Sequence, residues 1–410
     1  MFKILAHLLA CVFFSSCIWA ESDNNPDYLP LDDSEYPYAN LPRLIIETEN
    51  FDQIRDTETD IPARLQVYGK ETPQSEILEL TIKGHGNSSF KSMAKYNLKL
   101  KFKDKINFLG MPKDNEWILV SNFSDRTLIK NYTIYRLAQQ LGASHTPRSL
   151  FCELYLNRQY MGIYQLTESI KVSKKRVNIP QNRRSFLFEK TTEYNMKGNV
   201  IQTKHGHLFR IRFPKNATSG EADTLKNFLD SFEKDLYSNK FDAKHHSLPL
   251  DINDYIRYYW LLELSKNHDG RFGRSIFFTW EIDDIIKMGP VWDYDESFGC
   301  TKDNMPKEKP EGWYAQNSGW NRPLFTDSLI WSEAVHFWKN NRVFFKATID
   351  DIDKYANIIR KATSNEFRRW NSLDNTEFWG FKESYSNYDE ALDSLKNWIK
   401  NRISWIDNNI

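Results

Sequence analysis

Apolar and polar residues alternate through the first third of the chain and then give way to apolar stripes at helical spacing. Leu44-Ile45-Ile46, Leu65–Tyr68 and Leu78–Ile82 predict short strands. The run from Tyr96 to Phe102 puts Tyr96, Leu98, Leu100 and Phe102 on one face and Asn97, Lys99 and Lys101 on the other. Trp117–Val120 predicts a further strand. Asp125 then stands as the N-cap of a helix over about 126–141, stopped by Gly142, with Leu128, Ile129, Tyr132, Tyr135 and Leu137 on its apolar face. Leu150–Leu156 and Gly162–Leu166 follow as strands around a turn at Asn157-Arg158-Gln159. Phe186–Glu189, Ile276–Trp280 and Ile285–Gly289 complete the strands. Thr224–Leu236, Ile252–Leu264, Phe345–Ile359 and Ala391–Ile406 predict helices, the last with Leu392, Leu395, Trp398, Ile399, Ile403 and Ile406 on one stripe. The trend is α+β, β-rich first and mostly helical afterwards, which suggests two lobes around a cleft.

The ends of the chain read differently. Residues 1–20 carry Lys3 and then a mostly apolar stretch from Ile4 to Trp19, the pattern of a secretory signal peptide. Cleavage after Ala20 is one expectation; lipidation at Cys17, through a poor lipobox, is the other. Residues 21–42 are acidic and rich in Pro and Asn and predict a loose tether. That leaves one domain over 43–410, with an N-lobe over about 43–166 and a C-lobe over about 167–410. Beyond the leader no apolar run reaches the ~18 residues of a membrane span, which excludes a polytopic membrane protein.

Composition narrows the function. With 55 basic and 55 acidic residues the formal net charge is +0, so a general nucleic-acid binder is disfavoured. Cys152 and Cys300 are the two cysteines outside the leader; in an exported protein they form one disulfide or remain two buried thiols. Asn87, Asn122, Asn131 and Asn216 head glycosylation sequons, a short pattern that chance supplies often. There is no phosphate-loop, zinc-helix, nucleophile-elbow or dinucleotide fingerprint.

Acidic residues gather where apolar elements stop. Asn267-His268-Asp269-Gly270 ends one predicted helix, and Trp292-Asp293-Tyr294-Asp295-Glu296-Ser297-Phe298-Gly299 follows the last strand pair. Asp269 facing Asp293 and Asp295 across a cleft would suit metal-assisted phosphoryl transfer, which needs a few hard oxygen ligands and a carboxylate beside the attacking hydroxyl. The plainer reading makes Asp269 and Asp293 turn caps.

The chain resembles the spore coat protein H-like (CotH) kinase family. The resemblance is carried, in order, by Ile82–Ser89 with Lys95–Leu100, Asp125–Asn131, Glu153–Glu168, Asn267-His268-Asp269 and Trp292–Gly299. It implies an atypical protein-kinase-like two-lobed fold and transfer of the ATP γ-phosphate to Ser or Thr of a protein outside the cytoplasm, with Mg or Mn. Asp269 matches the catalytic aspartate; Asp293 and Asp295 match the metal-binding segment, without deciding which is the main ligand. Lys95 and Lys99 are then candidates for contacting phosphate, each with a solvated strand face as the alternative. Glu168 is a candidate cleft residue, with an ordinary exposed acid as the equal alternative, and Arg126 and Lys130 orient the first helix near the cleft or lie on its exposed face. One position departs from the family. Where an asparagine about five residues after the catalytic aspartate helps hold metal, this chain has Arg274, with Ser275 next to it. Serine ligates weakly and arginine not at all, but Arg274 is suited to contact phosphate.

Two other functions compete. A dead kinase fold acting as a surface binding module or adhesin would use Trp313, Tyr314, Trp320 and Trp331 as stacking faces, unless these are core residues. A metal-dependent hydrolase would use Asp269 with Asp293 and Asp295, against which His205, His207, His245 and His246 lie far from the acidic motifs.

Overall fold

The computed structural model describes residues 28–70, 72–86, 88–238, 248–300, 308–374 and 383–410. The predicted leader 1–20 with Cys11 and Cys17, the first part of the tether, Asn87, His245 and His246 lie outside the described residues.

The first alternating runs form strands β1 (Arg43–Thr48), β2 (Ile61–Tyr68), β3 (Leu78–His85), β4 (Asn97–Ile106), β5 (Asp114–Val120), β6 (Ser149–Leu156) and β7 (Gln159–Glu168). They close into a barrel in the order β1-β2-β3-β4-β5-β7-β6. Closure comes from β1 pairing parallel with β6, with Arg43 opposite Glu153, and it leaves no open edge. Inside lie Leu80, Ile82, Leu98, Leu100, Trp117, Leu119, Leu154 and Leu166. Asn157 and Arg158 both take positive φ, 50° and 65°, the geometry of a two-residue hairpin turn whose twist matches its strands. The short helix α1 (Ser88–Ser92) follows β3, and α2 (Lys130–Gln140) follows β5. α2 starts four residues later than the pattern predicts. Asp125 does cap this turn, accepting from the amides of Thr127 and Lys130 at 2.8 Å each, but Leu128 sits at φ 62° and delays the helix.

Residues 28–42 depart from the predicted tether. Leu29, Ala39 and Leu41 are buried, and Leu29 joins Ile45, Tyr68, Tyr155 and Tyr160 in a small core on the outside of the barrel. Arg43, wholly buried, pairs with Asp33 and Glu153 and donates to the Tyr36 carbonyl at 3.0 Å.

The remaining chain mixes helices with a second sheet. β8 (Ser185–Thr191), β9 (Val200–Gln202), β10 (Leu208–Phe213), β11 (Phe277–Glu281) and β12 (Lys287–Met288) pair antiparallel in the order β12-β11-β8-β10-β9. The helices are α3 (Ser219–Tyr237), α4 (Ile252–Ser265), α5 (Asn321–Thr326), α6 (Ser328–Ile359), α7 (Thr363–Trp370) and α8 (Tyr388–Asp407). Phe186, Phe188, Phe278, Trp260, Trp320 and Trp338 share one large core with Leu392, Leu395, Ile399, Ile403 and Ile406 of α8. The chain is therefore α+β, β-rich first and helical at its C-terminus. The β-rich N-terminal part is a closed seven-stranded barrel, which the strand pattern did not predict, and a five-stranded sheet runs through the part expected to be mostly helical. Among the described residues no helix is long and apolar enough to cross a membrane.

Candidate active site

α4 is apolar almost all round and therefore buried, so its end is a rigid platform. Lys266 ends it in the left-handed conformation, and Asn267-His268-Asp269 turns off it. Asn267 accepts from the Asp269 amide at 3.0 Å and donates Nδ2 to the Asp293 carbonyl at 2.9 Å, joining the two acidic loops. The loop after β12 is held from three sides. The Tyr294 amide donates to Asn131 Oδ1 at 2.7 Å, and Asn131 Nδ2 donates to Asn122 Oδ1 at 2.9 Å. The Ser124 hydroxyl donates to Asp295 Oδ2. The Phe298 amide donates to the Ser265 carbonyl at 2.7 Å.

These anchors bring the acids together. Ser275 Oγ lies 3.1 Å from Asp293 Oδ2 and 3.4 Å from Asp269 Oδ2, and its single hydrogen serves one carboxylate at a time. Arg274 Nε donates to Asp269 Oδ1 at 2.8 Å. Ser275 and Asp293 sit at φ 58° and 69°, a conformation costing about 1 kcal/mol or more for a non-glycine residue, so the surrounding fold enforces it. Burial raises the Asp269 carboxyl to about 6, with Arg274 opposing and Glu296 adding to the rise. Asp293 is pushed well above the usual carboxylate range by burial and by Asp295 and Asp269; Asp295 is raised by burial and by Glu296.

The acids line a cleft of about 820 Å³ between the outer face of the barrel and the second sheet. Lys83 and Lys99 stand directly opposite each other on β3 and β4. Such like-charge neighbours are normally unfavourable; here Asp60 answers Lys83 at 3.1 Å and Glu116 answers Lys99 at 2.6 Å. Lys190, Arg210 and Arg212 line the same cleft. His85, against the edge of Trp292, is lowered to about 3 by burial and by Arg212, Lys99 and Lys83, so it stays neutral.

Of the residues singled out in the sequence, Asp269, Asp293, Asp295, Ser275, Arg274 and Lys99 all line or face this cleft. Two do not. Lys95 is wholly buried, ion-paired to Glu366 at 2.7 Å behind the β6–β7 hairpin, because it sits in the bend before β4 rather than on the strand's outer face. Glu168 lines a separate cavity of about 320 Å³, where Arg148 and Arg176 hold it at 2.7 and 3.4 Å. Arg126 and Lys130 are buried rather than on an exposed helix face, near Glu383. Trp320 and Tyr314 are core residues, and Trp313 and Trp331 are half-buried against that core. His207 pairs with Glu233 at 2.7 Å and His205 stacks on Tyr237. Cys152 and Cys300 are free and buried, not bonded to each other. Asn122 and Asn131 are buried structural ties, which excludes them as glycan acceptors; Asn216 is exposed.

Sequence reasoning missed Ser124 and Asn131 as ties for the acidic loop, and it missed Lys190. Phe186, Phe188 and Lys190 fall at period two on β8, so a lysine ending a buried apolar face was the available signal. Lys190 is buried, donates Nζ to the Thr191 carbonyl at 2.8 Å and lies against the Phe209 and Phe272 rings. Among the described residues it forms no ion pair, and burial lowers it to about 8.

The fold and site define an α+β protein whose cleft brings a carboxylate cluster together with lysines and arginines from the barrel and from the second sheet. The sequence matches the family described as CotH kinase protein over residues 82–406, and the chain belongs to that family. The matched residues begin inside β3, so β1 and β2, which close the barrel, precede them. No curated protein matches the chain.

The family implies a divalent metal. Among the described residues no three His, Cys, Asp or Glu groups gather into a self-contained metal site. Asp293 and Asp295, both raised by burial first and then by acidic neighbours, Asp295 and Asp269 for the one and Glu296 for the other, nevertheless suit a hard cation of the Mg²⁺ kind, which is often held by one or two carboxylates plus substrate phosphates.

Proposed function

We propose that the chain is a protein kinase that transfers the γ-phosphoryl group of ATP to Ser or Thr of a protein outside the cytoplasm, using Mg²⁺ or Mn²⁺. The observation that carries this reading is the convergence of Asp269 and Asp293 on the Ser275 hydroxyl, in a cleft lined also by Lys83 and Lys99 from the barrel and by Lys190 and Arg212 from the second sheet. Asp293 and Asp295 would hold the cation, which supplies charge neutralisation at the phosphates. Asp269, its carboxyl raised to about 6, is poised to accept the proton of the attacking hydroxyl near neutral pH. The cationic side chains bind and orient the phosphates, and Trp292, Ile118 and Phe277 add apolar surface to the lining. Export rests on the leader over residues 1–20, with Cys17 as the alternative lipid anchor.

The test is transfer of labelled phosphate from ATP to a basic protein substrate with Mg²⁺ or Mn²⁺. Label from the wild type, lost in Asp293→Asn, supports the reading. No label, together with no metal-dependent ATP binding by calorimetry, overturns it and leaves a binding module on this fold.

Asp293→Asn carries a second expected outcome. It relieves a carboxylate that burial and two neighbouring acids disfavour, so without divalent cation its thermal midpoint should exceed the wild type's by a few degrees. Added Mn²⁺ with ATP should stabilise the wild type and not the variant. A midpoint unchanged in both conditions argues that Asp293 is no ligand.

Lys190→Ala should weaken ATP binding roughly ten- to a hundred-fold, the equivalent of one charge-assisted hydrogen bond of about 1.5–3 kcal/mol. Because burial lowers Lys190 to about 8, wild-type affinity should decline as pH rises through that value. Calorimetric titrations at pH 7 and pH 9 read both effects, and in the variant the pH difference should shrink.

A further inference from the structure

The position five residues after Asp269 is where the kinase reading expects a metal-holding oxygen, and this chain puts a fixed positive charge there. The Gly273 amide donates to the Asp269 carbonyl at 3.1 Å, closing a tight loop that returns residue 274 to the carboxylate it follows. Phe272, at φ 58°, is driven into the core against Trp320, and Ser275 takes φ 58°. Both flanks of Arg274 are therefore pinned. Its guanidinium meets Asp269 Oδ1 at 2.8 Å and is held protonated by Asp269 first, then by Asp293 and Glu296. A guanidinium has five donors and no acceptor, so it cannot ligate a metal, but it can neutralise carboxylates and donate to phosphate oxygens. It also takes up one oxygen of Asp269 and repels any divalent cation placed beside it.

We propose that the Arg274 guanidinium is a built-in cation standing in for a second metal ion, so that this chain works with a single divalent cation, held by Asp293 and Asp295. The inference rests on the kinase reading and adds to it the number of metals and the residue that sets that number. In kinase catalytic loops of the D-x-x-x-x-N type an asparagine helps hold the second of two ions. Here the second positive charge is covalently part of the protein. Its concentration does not fall when metal is scarce, and it approaches the phosphates through hydrogen bonds rather than through coordination.

The test counts metal ions on the purified full chain. Mn²⁺ is titrated in the presence of a non-hydrolysable ATP analogue, with bound ion read by electron paramagnetic resonance. The wild type should take up one Mn²⁺ per bound nucleotide. Arg274→Asn, which removes the fixed charge and supplies an amide oxygen, should take up two. Arg274→Lys, which keeps the charge, should stay at one. In transfer assays the dependence of rate on free Mn²⁺ should steepen from about first order in the wild type to about second order in Arg274→Asn, as mass action on one or two ions requires. Two ions on the wild type overturn the inference alone and leave the kinase reading standing, and this count needs no variant to fold. One ion on a folded Arg274→Asn also overturns it. Absence of nucleotide-dependent Mn²⁺ uptake in all three proteins overturns the kinase reading and the inference with it.

Discussion

Asp269→Asn should lower phosphoryl transfer by about 10²–10⁴-fold, the range expected when a positioned general base is removed, without unfolding the protein. The amide oxygen of asparagine can still accept from Arg274 Nε, and the Ser275 hydroxyl still has Asp293 at 3.1 Å. What disappears is the ability to take the proton of the attacking hydroxyl. Stability moves the other way. The Asp269 carboxyl is raised from the ordinary 3.8 to about 6, by burial first. A group whose folded value is raised contributes stability fully below its unfolded value, and that contribution is lost as pH rises through the folded one. At pH 7 the ionised Asp269 is therefore a net cost, of no more than about 3 kcal/mol for a shift of this size. The variant should match or exceed the wild type in denaturant unfolding at pH 7, and that advantage should shrink towards pH 4. Wild-type transfer should also decline below about pH 6, where the carboxyl protonates. A variant within a few-fold of wild-type activity removes Asp269 from the role of base. A variant that is inactive and also much less stable at pH 7 makes Asp269 a structural cap, the plainer of the two readings its spacing allowed.

Much of this site is legible in the sequence because its chemistry sits at the ends of strongly patterned elements. α4 and the stripe of α8 are set by local periodicity, and Asp269 and Asp293 to Asp295 are polar residues at the margins of apolar runs. The β4 alternation and the turn after β6 are local in the same sense. Closure of the barrel is not: β1 pairs with β6 across more than a hundred residues of chain, and no local pattern encodes a parallel partner. The first half of α6, from Ser328, was missed because Trp331, Val335, Phe337 and Trp338 are weak helix formers, and tertiary packing of Trp338 and Ala334 decides the outcome. Asn122, Ser124 and Asn131 resemble glycosylation sequons when read singly. Only the fold shows that their amides and hydroxyl tie the barrel and α2 to the acidic loop. Lys95 and Lys99 cannot be told apart by type or spacing. They separate because Lys99 lies on the outer face of β4, whereas Lys95 precedes the strand and is captured by an acid from α7.

That capture carries the largest expected effect on stability. Lys95 and Glu366 are both fully buried. Lys95 Nζ donates to Glu366 Oε1 at 2.7 Å and to the Ile163 carbonyl at 2.6 Å, while the Ile163 amide donates to Glu366 Oε2 at 2.6 Å. The ammonium also lies 4.9 Å from the centre of the Tyr164 ring. Room for the carboxylate exists because residue 162 is glycine: at φ 92° a Cβ there would fall 2.1 Å from Glu366 Oε2. The same helix donates from Arg369 Nε to the Tyr160 carbonyl at 2.9 Å and from Trp370 Nε1 to the Met161 carbonyl at 3.0 Å, so α7 is clamped along β7. Burial lowers Lys95, with Glu366 opposing, and burial raises Glu366, with Lys95 opposing. For both partners desolvation outweighs the attraction, so the pair costs little to replace whole and much to break. Glu366→Gln, which strands the ammonium without its counter-charge, should destabilise the fold by about 3–5 kcal/mol in denaturant unfolding, while the double variant Lys95→Met with Glu366→Leu should recover most of that loss. Gly162→Ala should destabilise in the same direction by displacing the carboxylate. Because neither Lys95 nor Glu366 lines the cleft, transfer per folded molecule should stay within about two-fold of wild type. A loss under about 1 kcal/mol in Glu366→Gln shows that water reaches this pair. An intact fold with lost transfer instead makes the α7 clamp part of how the cleft is held open to its substrate.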